Sequence, residues 1–82
     1  MLRVLGIDPG LRLTGYGVVD VPAGAVEPHL LEGGVIRLKA KTIEQRLIEL
    51  CDAMTALLEE FSPTELAVEK LYAHYKHPRT AI

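Results

Sequence analysis

One stretch of helical periodicity, residues 42–61, constrains the fold of this chain more than any other feature. Apolar residues recur there at the three- and four-residue spacing of a single helix face: Ile43, Leu47, Leu50, Met54, Leu57, Leu58 and Phe61. Thr42 and Gln45 match a capping box at the start, and Ser62-Pro63 ends the pattern. A helix of this length can return the chain across a sheet, so the strand after it can run parallel to a strand before it.

Four short segments have the character of strands. Residues 3–8, 14–20 and 29–38 precede the helix, and residues 66–69 follow it. The connection between the first two is short enough for a hairpin, so these strands should be antiparallel. The pattern predicts an α/β fold with a mixed sheet, in which strands 1-2-3 are antiparallel and strand 4 is parallel to strand 1. Gly33-Gly34 in the third segment predicts a bulge or a close backbone approach.

Composition narrows the class of protein. The 82 residues suffice for one small domain, and 49% of them are apolar. The net charge of −2 argues against a free-standing DNA-binding domain. Cys51 is the only cysteine, so no disulfide forms within the chain, and its place on the helix predicts a buried, inert thiol. With no signal peptide and no apolar run long enough to span a bilayer, we expect a cytoplasmic protein without a membrane partner.

Two acidic residues carry the functional information. Asp8 and Glu69 each end an apolar strand, and the predicted topology makes those strands parallel neighbours. Their carboxylates should then lie side by side at the carboxyl edge of the sheet, where ligands bind in open α/β sheets. Adjacent carboxylates favour a hard divalent cation such as Mg²⁺. The alternative interpretation is two solvated strand ends.

The surroundings of these acids bear on the same question. Gly6, Gly10, Gly15 and Gly17 leave little side-chain bulk around Asp8, which suits close approach of a ligand and equally suits a tight hairpin. Arg12 can contact a phosphate or remain a solvated loop charge. After Glu69, basic residues alternate with aromatic ones, a pattern that can grip phosphates and stack on bases. From this pattern we predict DNA contacts at Lys70, Tyr72, Lys76 and Arg79, with Arg12 in the turn after Asp8 as a further contact. The alternative for the segment after Glu69 is an ordinary solvated stretch with a tyrosine packed on the core. The spacing of His74 and His77 is only a weak indication of a metal site, because no cysteine or further histidine accompanies them.

The extended motifs resemble a known family. The segment LGIDPGLRLTGYGVVD at residues 5–20 and the segment LAVEKLYAHYKHPRTAI at residues 66–82 closely resemble the N-terminal half of RuvC-type Holliday junction resolvases. The connecting GGVIRL at residues 33–38 is similar as well. The short motif IDxG alone occurs in many proteins of this fold, whereas DPGLRxTGYG with a later VEKLY is specific.

The resemblance implies a ribonuclease H-like fold, of which residues 1–82 are the N-terminal part of one nuclease domain. Members of the family act as homodimers, cut two strands of a four-way DNA junction symmetrically, and bind Mg²⁺ through four acids or three acids and a histidine. A branch-migration motor complex is a further expected partner. Asp8 falls on the first acid, Glu69 on the second, and Tyr72 on an aromatic residue near the junction centre.

The resemblance places the remaining metal ligands on a helix beyond Ile82. We therefore expect that the 82-residue chain alone does not cleave junctions. A site of this kind hydrolyses the phosphodiester by a two-metal, in-line displacement without a covalent intermediate.

Three alternatives remain at this stage. Actin-like and sugar-kinase-like ATPases also begin with a strand, an aspartate and a glycine turn, but Pro9 and Leu11 depart from their usual turn. Resolvase-like proteins that process ribosomal RNA share the fold but match the VEKLY segment less well. The third is a catalytically inactive folded fragment or interaction module.

Overall fold

The computed structural model describes residues 1–24 and 27–69 of the chain. Its elements are β1 (Leu2–Asp8), β2 (Leu13–Val21), β3 (His29–Arg37), α1 (Ile43–Phe61) and β4 (Glu65–Val68). The four strands form one sheet in the order β3-β2-β1-β4. β1 is antiparallel to β2 and parallel to β4, and β2 is antiparallel to β3. The predicted mixed sheet with a crossover helix is confirmed, with strand boundaries that differ by one residue.

One face of the sheet carries the core. Leu5 and Ile7 of β1 and Val18 of β2 are buried there against Leu57 of α1. These residues share a face because side chains alternate along a strand and Leu5 pairs with Val18. Four half-buried side chains complete the cluster: Tyr16, Ile36, Met54 and Phe61. None of the described elements covers the opposite face, which is the face that holds Asp8.

Helix α1 begins and ends with specific capping contacts. The Thr42 hydroxyl accepts a hydrogen bond from the Gln45 amide, and Ser62 adopts a left-handed conformation at the C-terminus. The predicted apolar stripe is only partly covered, since Ile43, Leu47 and Leu58 are 55%, 56% and 42% exposed. An apolar stripe of this spacing is expected to be core throughout, and for these three residues that expectation is wrong, because the sheet covers only one line of side chains on a single helix. Cys51 is likewise exposed rather than buried.

Of the two roles expected for the glycine pair in β3, a bulge or a close approach, the structure shows the close approach. The irregularity in the sheet lies at Val18/Val19, opposite the Glu32-to-Leu30 segment, and not at Gly33-Gly34. Gly34 instead lies beneath the ring of Tyr16, since a Cβ atom there would come within 2.8 Å of the phenol oxygen. The Tyr16 hydroxyl donates to Glu32 at 2.9 Å. The glycine pair therefore allows the Tyr16 ring to approach the backbone of β3, and the bulge lies nearer the start of the strand.

Arg3 ties the far end of the fold together. Its guanidinium binds both carboxylate oxygens of Asp20, at 2.7 and 3.0 Å, and also donates to the Phe61 carbonyl at 2.8 Å. The Arg3 backbone carbonyl accepts from the Thr64 amide at 2.8 Å. These bonds join β1, β2, the end of α1 and the entry to β4. They fix the register of β4 beside β1, on which the position of Glu69 depends.

No helix in the described part of the chain has both the length and the apolar character needed to cross a membrane.

Candidate metal centre

The register of β1 and β4 brings Asp8 and Glu69 together. Ile7 pairs with Val68 in the parallel ladder, so the residues that follow them are neighbours. The Glu69 amide donates to the Ile7 carbonyl at 2.9 Å, which extends the ladder by one bond beyond β4. Both residues lie on the face opposite α1, because Asp8 alternates with the buried Ile7 and Glu69 alternates with Val68. The predicted position of the two acids at one sheet edge is confirmed.

The two carboxyl groups interact directly. A hydrogen bond with Asp8 raises the pKa of Glu69 above its ordinary value of 4.5, and the negative charge of Asp8 and partial desolvation act in the same direction. Both side chains are exposed to solvent. Two carboxylates in contact repel each other unless a proton or a cation lies between them. The pair therefore favours the binding of a positive ion.

The chemistry of the pair suits a hard divalent cation. Carboxylate oxygens are the protein ligands that Mg²⁺ prefers, and Mg²⁺ sites commonly use one or two carboxylates together with water and substrate phosphate. Within residues 1–24 and 27–69, no third acid, histidine or cysteine joins Asp8 and Glu69 to form a larger cluster. Among the described residues, these two carboxylates are therefore the candidate ligands at this position.

The turn after Asp8 is held rigid by Thr14. The Thr14 hydroxyl accepts from the Gly10 amide at 3.3 Å and donates to the Gly10 carbonyl at 3.2 Å. Thr14 itself is completely buried. Position 10 requires glycine, because a Cβ atom there would overlap the Leu13 carbonyl oxygen. The sequence pattern did not single out Thr14, although its spacing from Gly10 in a short hairpin is the available signal.

A shallow groove of about 610 Å³ extends from the acid pair over the open face of the sheet. Its floor carries little side-chain bulk, because the pairing places Ala67, Gly6 and Gly17 in one row across β4, β1 and β2. Gly33 of β3 continues the row outside the groove. The glycines predicted to surround Asp8 are thus explained in part by this row. Gly15 belongs to the next row, where a Cβ atom would lie 3.7 Å from the Cβ of Asp8.

The remaining predicted site residues divide into two groups. Arg12 is exposed in the β1–β2 connection, and its carbonyl accepts from the Leu38 amide at 2.8 Å. The other predicted DNA contacts lie outside the described residues: Lys70, Tyr72, Lys76 and Arg79. The weak histidine spacing at His74 and His77 also lies outside them.

Comparison with known proteins gives a consistent result. Residues 4–82 match the family model of the crossover junction endodeoxyribonuclease RuvC. The chain is 38% identical over 80 residues to the RuvC of Dichelobacter nodosus, covering 98% of this chain and 44% of the relative. It is 42% identical over 74 residues to the RuvC of Methylococcus capsulatus, covering 90% of this chain and 43% of the relative.

A solved structure is similar over almost the whole chain. It is the RuvC of Thermus thermophilus in complex with a Holliday junction substrate, with a TM-score of 0.81 and 32% identity. The match covers 99% of this chain and 48% of that one. The chain therefore spans less than half the length of these relatives and of the structure that it matches.

Proposed function

Because the chain belongs to the RuvC family of crossover junction endodeoxyribonucleases, we propose that the full-length protein resolves four-way DNA junctions by metal-dependent phosphodiester hydrolysis. Residues 1–82 are then the N-terminal part of one ribonuclease H-like nuclease domain. The observation that carries the proposal is the parallel pairing of β1 with β4, which brings Asp8 and Glu69 side by side at the ends of two neighbouring strands. Their mutual repulsion is the feature that a divalent cation relieves.

The cofactor that fits this pair is Mg²⁺, with two ions in the complete site. Two such ions, when bound, supply an activated water nucleophile and stabilise the leaving oxygen of an in-line displacement. Asp8, at the end of the central strand β1, and Glu69, directly after the edge strand β4, would be among the residues that hold these ions. Further ligands are expected from residues outside 1–82, as the resemblance implies.

The described side chains bind and orient in this reaction and do not react themselves. Asp8 and Glu69 bind and orient, and neither needs to form a covalent bond to DNA. Glu69 must be deprotonated to act as a ligand, so its raised pKa makes metal binding weaker as the pH falls. The rigid turn held by Thr14 keeps Asp8 and Arg12 in a fixed relation at the edge of the sheet.

Branched DNA is the proposed substrate and partner. The relative from Thermus thermophilus was solved with a Holliday junction, which supports this assignment for the present chain. We assign phosphate contacts to Arg12, Lys70, Lys76 and Arg79, and stacking on bases at the junction centre to Tyr72. A homodimer, a branch-migration motor complex and a cytoplasmic location complete the proposal.

Cleavage of a labelled four-way junction by the full-length protein tests the function. We expect cutting with Mg²⁺ and none with EDTA, and we expect Asp8→Asn and Glu69→Gln to abolish cutting while junction binding is kept. Glu65→Gln is the matched control, because Glu65 lies on the same strand and the same face as Glu69 but at the other end of β4. It should cut like the wild type. Equal loss of binding and cutting in Asp8→Asn would assign the residue to folding instead.

The ATPase alternative is not favoured. The family model matches residues 4–82, both relatives match 90% or more of this chain, and all of them carry the crossover junction endodeoxyribonuclease name. An inactive module remains distinguishable from the nuclease, because it would bind junctions without cutting them in the assay above.

A further inference from the structure

The positive charges of the described chain are distributed unevenly. Six of the nine lysines and arginines lie in the described residues, and Arg3, at the far end of the sheet, is the one bound to an acid, Asp20. The other five lie at the end that holds Asp8: Arg12, Arg37, Lys39, Lys41 and Arg46. Among these described residues, six acids lie toward the opposite end with Arg3 as the one cation there, whereas the end with five cations also holds the four acids Asp8, Glu44, Glu49 and Glu69. The six are Asp20, Glu27, Glu32, Glu59, Glu60 and Glu65.

The strand pairing explains how the cations reach the same end. β3 runs in the same direction as β1, because each is antiparallel to β2. Asp8 pairs with Gly15, which pairs with Val35, and Arg37 follows two residues later on the same face. Arg37 also pairs with Leu13, next to Arg12. At the usual strand spacing and rise, the Cα atoms of Asp8 and Arg37 are about 12 Å apart.

The connection from β3 to α1 is held by three hydrogen bonds. The Glu49 carboxylate accepts from the Lys39 amide at 3.2 Å and the Ala40 amide at 2.6 Å. The Arg46 guanidinium donates to the Ala40 carbonyl at 2.8 Å. The Glu49 carboxylate is therefore engaged with the backbone, and the side chains of Lys39 and Lys41 are exposed on a fixed loop. A fixed loop loses little conformational entropy on binding.

We propose that Arg12, Arg37, Lys39 and Lys41 form a phosphate-binding track that leads away from Asp8 and holds one arm of the branched DNA. The proposal rests on the proposed nuclease function and names the surface that orients the substrate. Phosphates in one strand follow each other about every 3.4 Å along the helix axis, so a separation of about 12 Å leaves room for more than one phosphate between Asp8 and Arg37. The acidic far end repels DNA and leaves this track as the favoured approach.

The test measures junction binding by the full-length protein in EDTA, over a series of salt concentrations, so that the metal site makes no contribution. Arg37→Gln with Lys39→Gln should weaken binding by roughly tenfold for each cation at about 0.1 M salt. The slope of log affinity against log salt should become less steep by about 0.9 for each phosphate that the protein no longer neutralises. Arg37→Lys with Lys39→Arg keeps both charges and should retain wild-type binding, which separates phosphate binding from any effect on folding.

Thr55→Glu with Ala56→Glu is the matched charge control. It changes the net charge by the same amount on exposed positions in the second half of α1. These positions lie about 9 Å further along the helix than Glu49, a distance close to the screening length at about 0.1 M salt. Its slope should equal that of the wild type. If the track variant keeps the wild-type slope, or if the charge control weakens binding as much as the track variant does, the track is wrong.

A cleavage assay beside the binding measurement distinguishes failure of the track from failure of the proposed nuclease function. A wild-type protein that binds DNA through the track but does not cut would support the track and contradict the nuclease. A protein that cuts junctions while the track variant binds with unchanged slope would contradict the track alone. A protein that binds no DNA would overturn both.

Discussion

At the scale of single residues, we expect the repulsion between Asp8 and Glu69 to affect the melting temperature in opposite directions with and without bound metal. In metal-free buffer near neutral pH, Asp8→Asn should raise the melting temperature, because it removes the charge that raises the pKa of Glu69. Since the pKa is raised in the folded chain, Glu69 favours folding most below its ordinary value of 4.5 and this contribution is lost as the pH rises through the raised value. The gain in Asp8→Asn should therefore shrink at acid pH, as thermal denaturation across a pH series would show.

Addition of Mg²⁺ should make the melting temperature of the wild type higher than that of Asp8→Asn. A ligand that binds only the folded state stabilises it by mass action, so Mg²⁺ should raise the melting temperature of the wild type and leave Asp8→Asn unchanged. Glu65→Gln should respond like the wild type. An equal Mg²⁺ response in Asp8→Asn would place the cation elsewhere.

Gly10 provides a second prediction at this scale. Gly10→Ala should destabilise the chain by about 1–3 kcal/mol, the usual range for forcing an added group into a packed site, because the new Cβ would overlap the Leu13 carbonyl oxygen. Gly6→Ala is the control, since its Cβ would meet its nearest atom at 3.8 Å. Denaturant unfolding of both variants measures the difference. Similar stabilities would show that the turn after Asp8 can relax.

At the scale of secondary-structure elements, the bond between Arg3 and Asp20 joins β1 and β2 at the end of the sheet opposite Asp8. The hydrogen bond from Arg3 holds the pKa of Asp20 below its ordinary value of 3.8. A lowered pKa contributes stability above the ordinary value, and the contribution is lost as the pH falls through the lowered one. Asp20→Asn should therefore lower the melting temperature at neutral pH and flatten its decline in acid. A parallel decline in both proteins would show that the bond contributes little.

The sequence predicted the strands, the helix and their order better than it predicted which helix side chains are buried. The helical spacing of residues 43–61 and the short hairpin predicted the sheet order, because a long crossover leaves few ways to place strand four. The same spacing did not show which part of the stripe is covered, since that depends on how α1 lies on the sheet. Leu47 and Cys51 are exposed for this reason.

The candidate site was predictable in part: the acid pair could be found from the sequence, and the basic residues around it could not. Asp8 and Glu69 could be found because each ends an apolar strand. The phosphate-binding track could not, because its membership depends on the register between β2 and β3, and a shift of one residue would move Arg37 to the other face. Its cations are also separated in the chain, so no basic run marks them.

At the scale of the whole molecule, the described chain has two ends of different character. One end joins the acid pair, the bare row of Ala67, Gly6, Gly17 and Gly33, and the phosphate-binding track, whereas the other end is acidic. This polarity explains how a chain with a net charge of −2 can approach DNA in one orientation. The overall charge is a sum over both ends and does not show this distribution.

The central claim is that Asp8 and Glu69 hold one cation between them. Crystals of the full-length protein soaked in Mn²⁺, a substitute for Mg²⁺ with measurable anomalous scattering, would locate the ion directly. We predict an anomalous peak with an oxygen of each carboxylate roughly 2.0–2.3 Å away, the usual range for small divalent cations, and its disappearance in Glu69→Gln but not in Glu65→Gln. A peak bound to other residues, or one that survives in Glu69→Gln with undiminished height, would contradict the claim.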